Sequence, residues 1–412
     1  MFSVISLLTF VTLALGVATS PVVVVDRSPI LSLPLKRVNN FTSGHDILAR
    51  DLARVQRFRD RAKARATGQP VKRQSSEPVS NQVVSYIASV GVGASDSQFQ
   101  LIVDTGSSNT WVGATKRYTA TSTSTDTEDA VSVSYGSGDF SGTEFIDRVT
   151  LSSSLVINQQ SIGVASSSEG FEGVDGILGI GPVDLTEDTV ENVNTVPTVT
   201  DNLFAQGTIA QNLVAVSFAP TDAEVDNNGE LTFGGTDSTK FTGEITFVMI
   251  LTLCRPRNGD FWGITQTVTY GSTSILGNTD GIVDTGTTLI LFDQTAFNAY
   301  TRATGAVLDN NTGLLRVTTA QFNALQNLNF NIGGTTFSLT PNAQIFPRSL
   351  NTLIGGVAND IYLIVGNLGP SGEEPFNFVN GYAFLERFYS VFDTGNNRVG
   401  IATTPNTNAE TN

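Results

Sequence analysis

Two stretches decide the reading of this 412-residue chain, Leu101 to Trp111, LIVDTGSSNTW, and Gly281 to Leu289, GIVDTGTTL. In each, a run of strand-forming apolar residues delivers an aspartate, Asp104 or Asp284, into a tight turn. The turns are Thr105-Gly106 and Thr285-Gly286, and each is followed by a hydroxyl residue, Ser107 or Thr287. Glycine at the turn lets the backbone approach the carboxylate where a Cβ would collide. The hydroxyls are placed to orient the carboxylates by hydrogen bonds. If the two loops face each other, they form a carboxyl pair that cannot easily lose both protons, so one site holds an acid and a base together. A third copy, Asp393-Thr394-Gly395, is followed by Asn396 rather than a hydroxyl residue. Asp, Gly and Asn all favour turns, so this copy reads as a hairpin between two strands.

Beyond the first loop, Thr121 to Ala130 is polar and is expected as a surface loop. Val131 to Gly142, VSVSYGSGDFSG, then alternates apolar and polar residues about a glycine-rich tip, which predicts a β-hairpin. Val174 to Gly181 reads VDGILGIG, in which Asp175 is assigned a turn role. Together these motifs resemble the pepsin-like aspartic endopeptidases, and among them the polyporopepsin-type enzymes of wood-rotting fungi. The resemblance runs from the mid-eighties to about residue 403.

It implies an all-β, bilobal pepsin-like fold with the cleft between two related β lobes, residues 74–246 and 247–412. The duplicated Asp loop supports the same division. In the resemblance Asp104 and Asp284 activate a water for peptide-bond hydrolysis, with no metal or organic cofactor. The hairpin is a flap carrying Tyr135, Gly136 and Ser137 over an extended peptide substrate. Trp111 matches the tryptophan that hydrogen-bonds the flap tyrosine, and Ile102 is expected to line a substrate pocket. In the second lobe, FVNGYAFLERFYSVFD keeps Gly381 but departs from the family pattern at Asn380 and Tyr382, which puts the packing behind Asp284 in question.

The first 73 residues have a different character. Residues 1–20 form an apolar run ending in small residues, as a cleaved secretory signal does. Residues 21–73 hold 12 Lys+Arg against 4 Asp+Glu, whereas residues 74–412 hold 11 against 34. A segment of net charge +8 lying before one of −23 reads as a basic propeptide laid over an acidic enzyme. Within it DILARDLARVQRFRDRAKAR predicts a helix, with Ser43 as N-cap and Leu48, Leu52, Val55 and Phe58 as the apolar stripe. Lys72-Arg73 is the expected processing site, and Lys36-Arg37 a second candidate. The remaining 339 residues suffice for two lobes of short strands with few helices, in 194–207, 296–305 and 318–326.

Absences narrow the chemistry further. The only histidine, His45, lies in the basic segment, so a Ser-His-Asp or Cys-His centre and a His-bearing zinc site are excluded from the mature chain. The only cysteine, Cys254, has no partner within the chain and is expected as a buried small residue. The acidic balance disfavours nucleic-acid binding and suits work at acid pH. Expected partners are protein or peptide substrates and the chain's own propeptide, with release from the cell as a monomer. Asn310, in Asn-Asn-Thr, is the one glycosylation sequon of the mature region. A pepsin-fold binding protein without activity and a glycosidase built on paired carboxylates are the alternatives from other classes.

Overall fold

Short strands rich in Val, Ile, Thr and Phe assemble into sheets of 13, 7 and 3 strands in the computed structural model, which describes residues 30–39, 43–67, 84–136, 138–251, 261–371 and 375–412. The expected signal segment, Lys72-Arg73, Ser137 and Cys254 lie outside the described residues. Among the described residues, no helix is long and apolar enough to cross a membrane. Two matching substructures deliver the two aspartates. Strand β3, Ser97–Asp104, ends on the first; it follows β2, Val84–Val92, with which it pairs antiparallel. Strand Thr273–Val283, in the 7-stranded sheet, ends immediately before the second.

Behind each aspartate a short strand crosses in parallel. Gly176–Gly179 runs beside β3 with Asp104 opposite Gly179, and Phe378–Asn380 runs beside Thr273–Val283 with Val283 opposite Asn380. Ile180 N–H donates to the Asp104 carbonyl at 2.8 Å, and Asp284 N–H donates to the Asn380 carbonyl at 3.1 Å. The packing behind Asp284 is therefore kept despite the unusual asparagine. The Asn380 side chain is satisfied by a buried amide pair with Gln266, at 2.9 and 3.3 Å, as a buried polar group must be. Asp175 serves its loop: its carboxylate accepts the backbone N–H of Gln100 and of Lys116. Thr246 lies within strand Thr242–Met249, which pairs with Arg398–Thr403 and so ties the end of the chain to the 13-stranded sheet. The third Asp-Thr-Gly forms the predicted turn between Phe388–Asp393 and Arg398–Thr403, its carboxylate accepting from Asn396 and Arg398.

The basic segment is woven into this framework. Strand β1, Leu31–Asn39, is inserted between β2 and Val225–Phe233, antiparallel to both. Leu33, Leu35 and Arg37 point inward and are buried. This corrects the second processing candidate: with Arg37 only 2% exposed in an interior strand, Lys36-Arg37 is closed to a protease while the strand is docked. Helix α1, Gly44–Thr67, follows, and its Ser43 cap accepts His45 N–H at 3.1 Å. Its buried face differs from the predicted stripe. Ile47, Asp51, Arg54, Val55, Phe58 and Ala62 are covered, while Leu48 and Leu52 are half-buried. The helix is rotated because its partner is a polar cleft as well as an apolar wall.

The expected polar loop also needs correction. Thr125 to Ala130 is strand, the outer part of Thr125–Tyr135, and it pairs across an irregularity with the strand that begins at Gly138. Threonine's β preference and a partner strand outweigh the polarity of the stretch. The three helical patterns are short helices at Val199–Ala205, Gln294–Thr304 and Thr319–Phe322.

One buried acid makes stability pH-dependent. Glu144 is 3% exposed; Ser161 Oγ donates to its Oε1, while Oε2 has no partner. Burial, reinforced by Asp129, pushes this carboxyl up to about 7. The folded state thus binds a proton that the unfolded chain releases, and stability falls as pH rises from the ordinary glutamate range through about 7. Glu144→Gln should raise stability by about 3 kcal/mol at pH 8 and change little at pH 4, measured by urea denaturation at both. Equal effects at the two pH values would contradict this assignment.

Candidate active site

The two Asp-Thr-Gly turns meet face to face. Thr105 N–H donates to Thr285 Oγ1 at 3.0 Å, and Thr285 N–H donates to Thr105 Oγ1 at 2.9 Å. Thr285 Oγ1 in turn donates to the Val103 carbonyl at 3.2 Å. This reciprocal lock fixes the loops against one another with every bond buried. Each carboxylate then receives the same pair of donors. Asp104 accepts Gly106 N–H at 3.0 Å and Ser107 Oγ at 2.5 Å; Asp284 accepts Gly286 N–H at 3.2 Å and Thr287 Oγ1 at 2.6 Å.

The glycines are required by proximity. A Cβ on Gly106 would lie 2.6 Å from Asp284 Oδ1, and one on Gly286 would lie 2.7 Å from Asp104 Oδ1. Each turn therefore packs against the opposite carboxylate. Asp104 and Asp284 are 1% and 0% exposed.

Between them stands Arg54 of α1. Its Nη2 donates to Asp104 Oδ1 and, at 2.8 Å, to Asp284 Oδ1, while its Nε donates to Asp284 Oδ2 at 2.7 Å. One nitrogen thus touches both carboxyl groups, which is direct geometric proof that they share a site. Burial alone would push Asp284 upward, but the Arg54 charge and hydrogen bonds outweigh it and hold the carboxyl below its usual range. One turn earlier, Asp51 accepts the N–H groups of Thr288 and Leu289, both at 2.9 Å. Burial nevertheless moves this acid up to about 6.

The helix is fastened along its length by arginines. Arg57 Nε donates to the Ser134 carbonyl at 3.1 Å, Arg61 to the Leu185 carbonyl, and Arg65 to the Asp184 carbonyl at 2.8 Å and to the Glu187 carboxylate. Phe58 lies 4.8 Å from the Phe261 ring and 4.9 Å from the Arg54 guanidinium. Sequence reasoning missed this face. Its signal was present as Arg50, Arg54, Arg57, Arg61 and Arg65, spaced three or four apart so as to share one side of a helix.

The predicted flap is a long hairpin, Thr125–Tyr135 and Gly138–Ser152, with Tyr135 paired to Gly138. Gly136 at its tip rests on the backbone of Arg54, where any Cβ would collide. Tyr135 is buried with Trp111, their rings 6.4 Å apart, and Trp111 also stacks on Phe140 at 4.2 Å. Trp111 faces Tyr135 at longer than ordinary hydrogen-bond distance: the indole still favours the ionised phenol, while neither Trp111 Nε1 nor Tyr135 Oη has a closer partner. Ile102 belongs to the same apolar cluster beneath the flap. The small cavity beside the carboxyl pair does not include Ile102 and is of mixed character, with Arg54, Arg57, Arg61, Ser107 and Asn109 beside Phe58, Val133, Tyr135, Leu185 and Phe261. Asn310 is exposed, and its carbonyl lies 2.9 Å from His45 Nε2 at the start of α1.

Comparison with known proteins gives the family and the fold. Residues 85–404 match the family described as eukaryotic aspartyl protease. The chain is 61% identical to polyporopepsin of Irpex lacteus over 340 residues, 82% of this chain and 99% of that protein. It is 32% identical to rhizopuspepsin of Rhizopus chinensis over 335 residues, 77% and 78% of the respective chains. The crystal structure of the aspartic proteinase from Irpex lacteus superposes with a TM-score of 0.78 at 52% identity, covering 93% of this chain and all of that one.

The threonine lock makes a stability prediction. Thr105→Val leaves the buried Thr285 N–H without an acceptor and should cost about 1–3 kcal/mol in urea denaturation. An unchanged midpoint would show that the loops are positioned by other contacts.

Proposed function

The chain belongs to the eukaryotic aspartyl protease family as a pepsin-like aspartic endopeptidase, and on that premise we propose a secreted zymogen whose catalytic pair is Asp104 and Asp284. A water held between the carboxyls loses a proton to the ionised member and attacks the scissile carbonyl carbon. The protonated member gives its proton to the carbonyl oxygen, forming a tetrahedral diol. Collapse re-forms the carbonyl, breaks the C–N bond and passes a proton to the leaving nitrogen from the same pair. The pair titrates as a unit, so the proton belongs to both carboxyls. No metal or organic cofactor takes part.

In this reading Ser107, Thr287 and the N–H groups of Gly106 and Gly286 orient the carboxylates, and Thr105 and Thr285 hold the two loops in register. Tyr135, Gly136 and Ser137 close over an extended peptide, excluding water and strengthening its polar contacts. Trp111 and Ile102 support the flap from beneath. Residues 1–20 act as the signal, residues 21–73 as the propeptide cut at Lys72-Arg73, and residues 74–246 and 247–412 as the two lobes. The mature enzyme is a monomer released outside the cell, with a glycan on the exposed Asn310.

The observation that carries the zymogen reading is the Arg54 guanidinium bound to both carboxyls at once. It fills the place of the attacking water, so the docked chain is inactive. Because Arg54 holds Asp284 low, its contribution to docking is complete at neutral pH and is lost as pH falls through that depressed range. Acid therefore loosens the helix under the conditions in which the pair can hold its proton.

Cleavage of denatured casein from pH 2 to 8, with and without pepstatin, tests the reading on protein whose N-terminus has been sequenced. Activity should be confined to acid and blocked by pepstatin. Asp104→Asn and Asp284→Asn should each lower turnover more than about a thousandfold with little unfolding. Full turnover in either variant would refute the mechanism.

A further inference from the structure

The prosegment is held at a second place that shares no group with the catalytic pair. Arg37, on β1, carries its guanidinium into the interior, where Nε lies 2.8 Å from Glu386 Oε1 and Nη1 donates to the Thr221 carbonyl at 3.1 Å. Tyr86 Oη donates to the same Glu386 oxygen at 3.2 Å, and the guanidinium sits 5.6 Å from the centre of the Tyr382 ring. The arginine and glutamate side chains are only 3% and 9% exposed. Tyr382 is the residue that departs from the family pattern after Gly381, and Glu386 follows the short helix Tyr382–Leu385 that it begins.

We propose that Glu386, Tyr86, Tyr382 and the Thr221 carbonyl form a guanidinium-binding docking site that retains the prosegment strand independently of Arg54 and the catalytic carboxyls. This deepens the zymogen reading and rests on the removal of residues up to about 73. Three features carry it. The site is assembled from segments that remain after processing, whereas its only ligand leaves with the prosegment. The guanidinium meets the carboxylate as an ion pair through Nε and donates a hydrogen bond to a separate carbonyl through Nη1, a spacing of two nitrogens on one rigid plane that a lysine does not match. The pair is buried, so without the guanidinium the carboxylate would keep only the Tyr86 hydroxyl and the neighbouring Arg387 charge, which makes loss of the guanidinium costly. Strand and helix therefore have separate fastenings. The helix can leave the cleft while β1 stays between β2 and Val225–Phe233.

Hydrogen exchange of the full, unprocessed chain at neutral pH tests this, comparing peptides that cover residues 31–39 and 50–58. Arg37→Lys and Glu386→Gln should each speed exchange in 31–39 at least tenfold and change 50–58 less than twofold. The paired variant Arg37→Met with Glu386→Leu should exchange more slowly in 31–39 than Glu386→Gln, because the Arg37 charge is no longer left buried without its carboxylate. Unchanged exchange in 31–39 would overturn the proposal, as would equal acceleration of both segments. Arg37→Lys alters only residues lost on processing, so its matured enzyme should have wild-type activity, which separates a docking effect from misfolding. N-terminal sequencing of active enzyme checks the premise separately: retention of residues 31–39 would refute the prosegment reading while leaving the Glu386 contact to be judged by exchange.

Discussion

A single guanidinium lying between two buried carboxyls is the interaction on which the rest of this structure depends. Two carboxylates brought together in a dry site repel each other and are costly to desolvate. Arg54 relieves both costs, supplying charge and hydrogen bonds to Asp104 and Asp284 together. The arrangement is stable while the arginine is charged and the acids are ionised. Protonation of the acids is the one change that the cleft's own chemistry provides to weaken it. In the proposed mechanism the group that must be displaced for catalysis is thus held by the same charges that catalysis would use.

The fold makes that coincidence possible. Two sheets each end a strand at an aspartate, and a parallel crossing strand behind each one fixes its backbone. The exchange of N–H and hydroxyl between Thr105 and Thr285 then sets the spacing of the loops. The basic segment occupies the remaining open places. Its strand enters the large sheet, its helix fills the cleft, and the flap tip closes on the backbone of Arg54 itself. Buried ion pairs at two places hold these two elements, Arg37 with Glu386 for the strand and Arg54 with both aspartates for the helix.

The meeting of the two carboxyl groups was legible in the sequence because it depends on local chemistry. An aspartate, a glycine turn and a hydroxyl residue specify one loop each, and their repetition implied a facing pair. The third Asp-Thr-Gly could be set aside for the same local reason, its asparagine marking a turn. The docking of the basic helix was less legible. Leu48 and Leu52 attracted attention as an apolar stripe, but a helix that docks into a carboxylate-lined cleft is oriented by its arginines, and Arg54 gained meaning only once the opposing acids were located. Similarly, Lys36-Arg37 looked like a cleavage site until the strand around it proved to be interior. Thr125 to Ala130 read as loop because polarity was visible and the partner strand was not.

The most direct test of the central claim is the pH dependence of prosegment release in the wild type and in Arg54→Gln, followed by N-terminal sequencing and the appearance of activity. Removing the guanidinium removes the need to protonate against it, so release should shift to higher pH by about one unit or more. An unchanged profile would mean that Arg54 does not hold the zymogen closed.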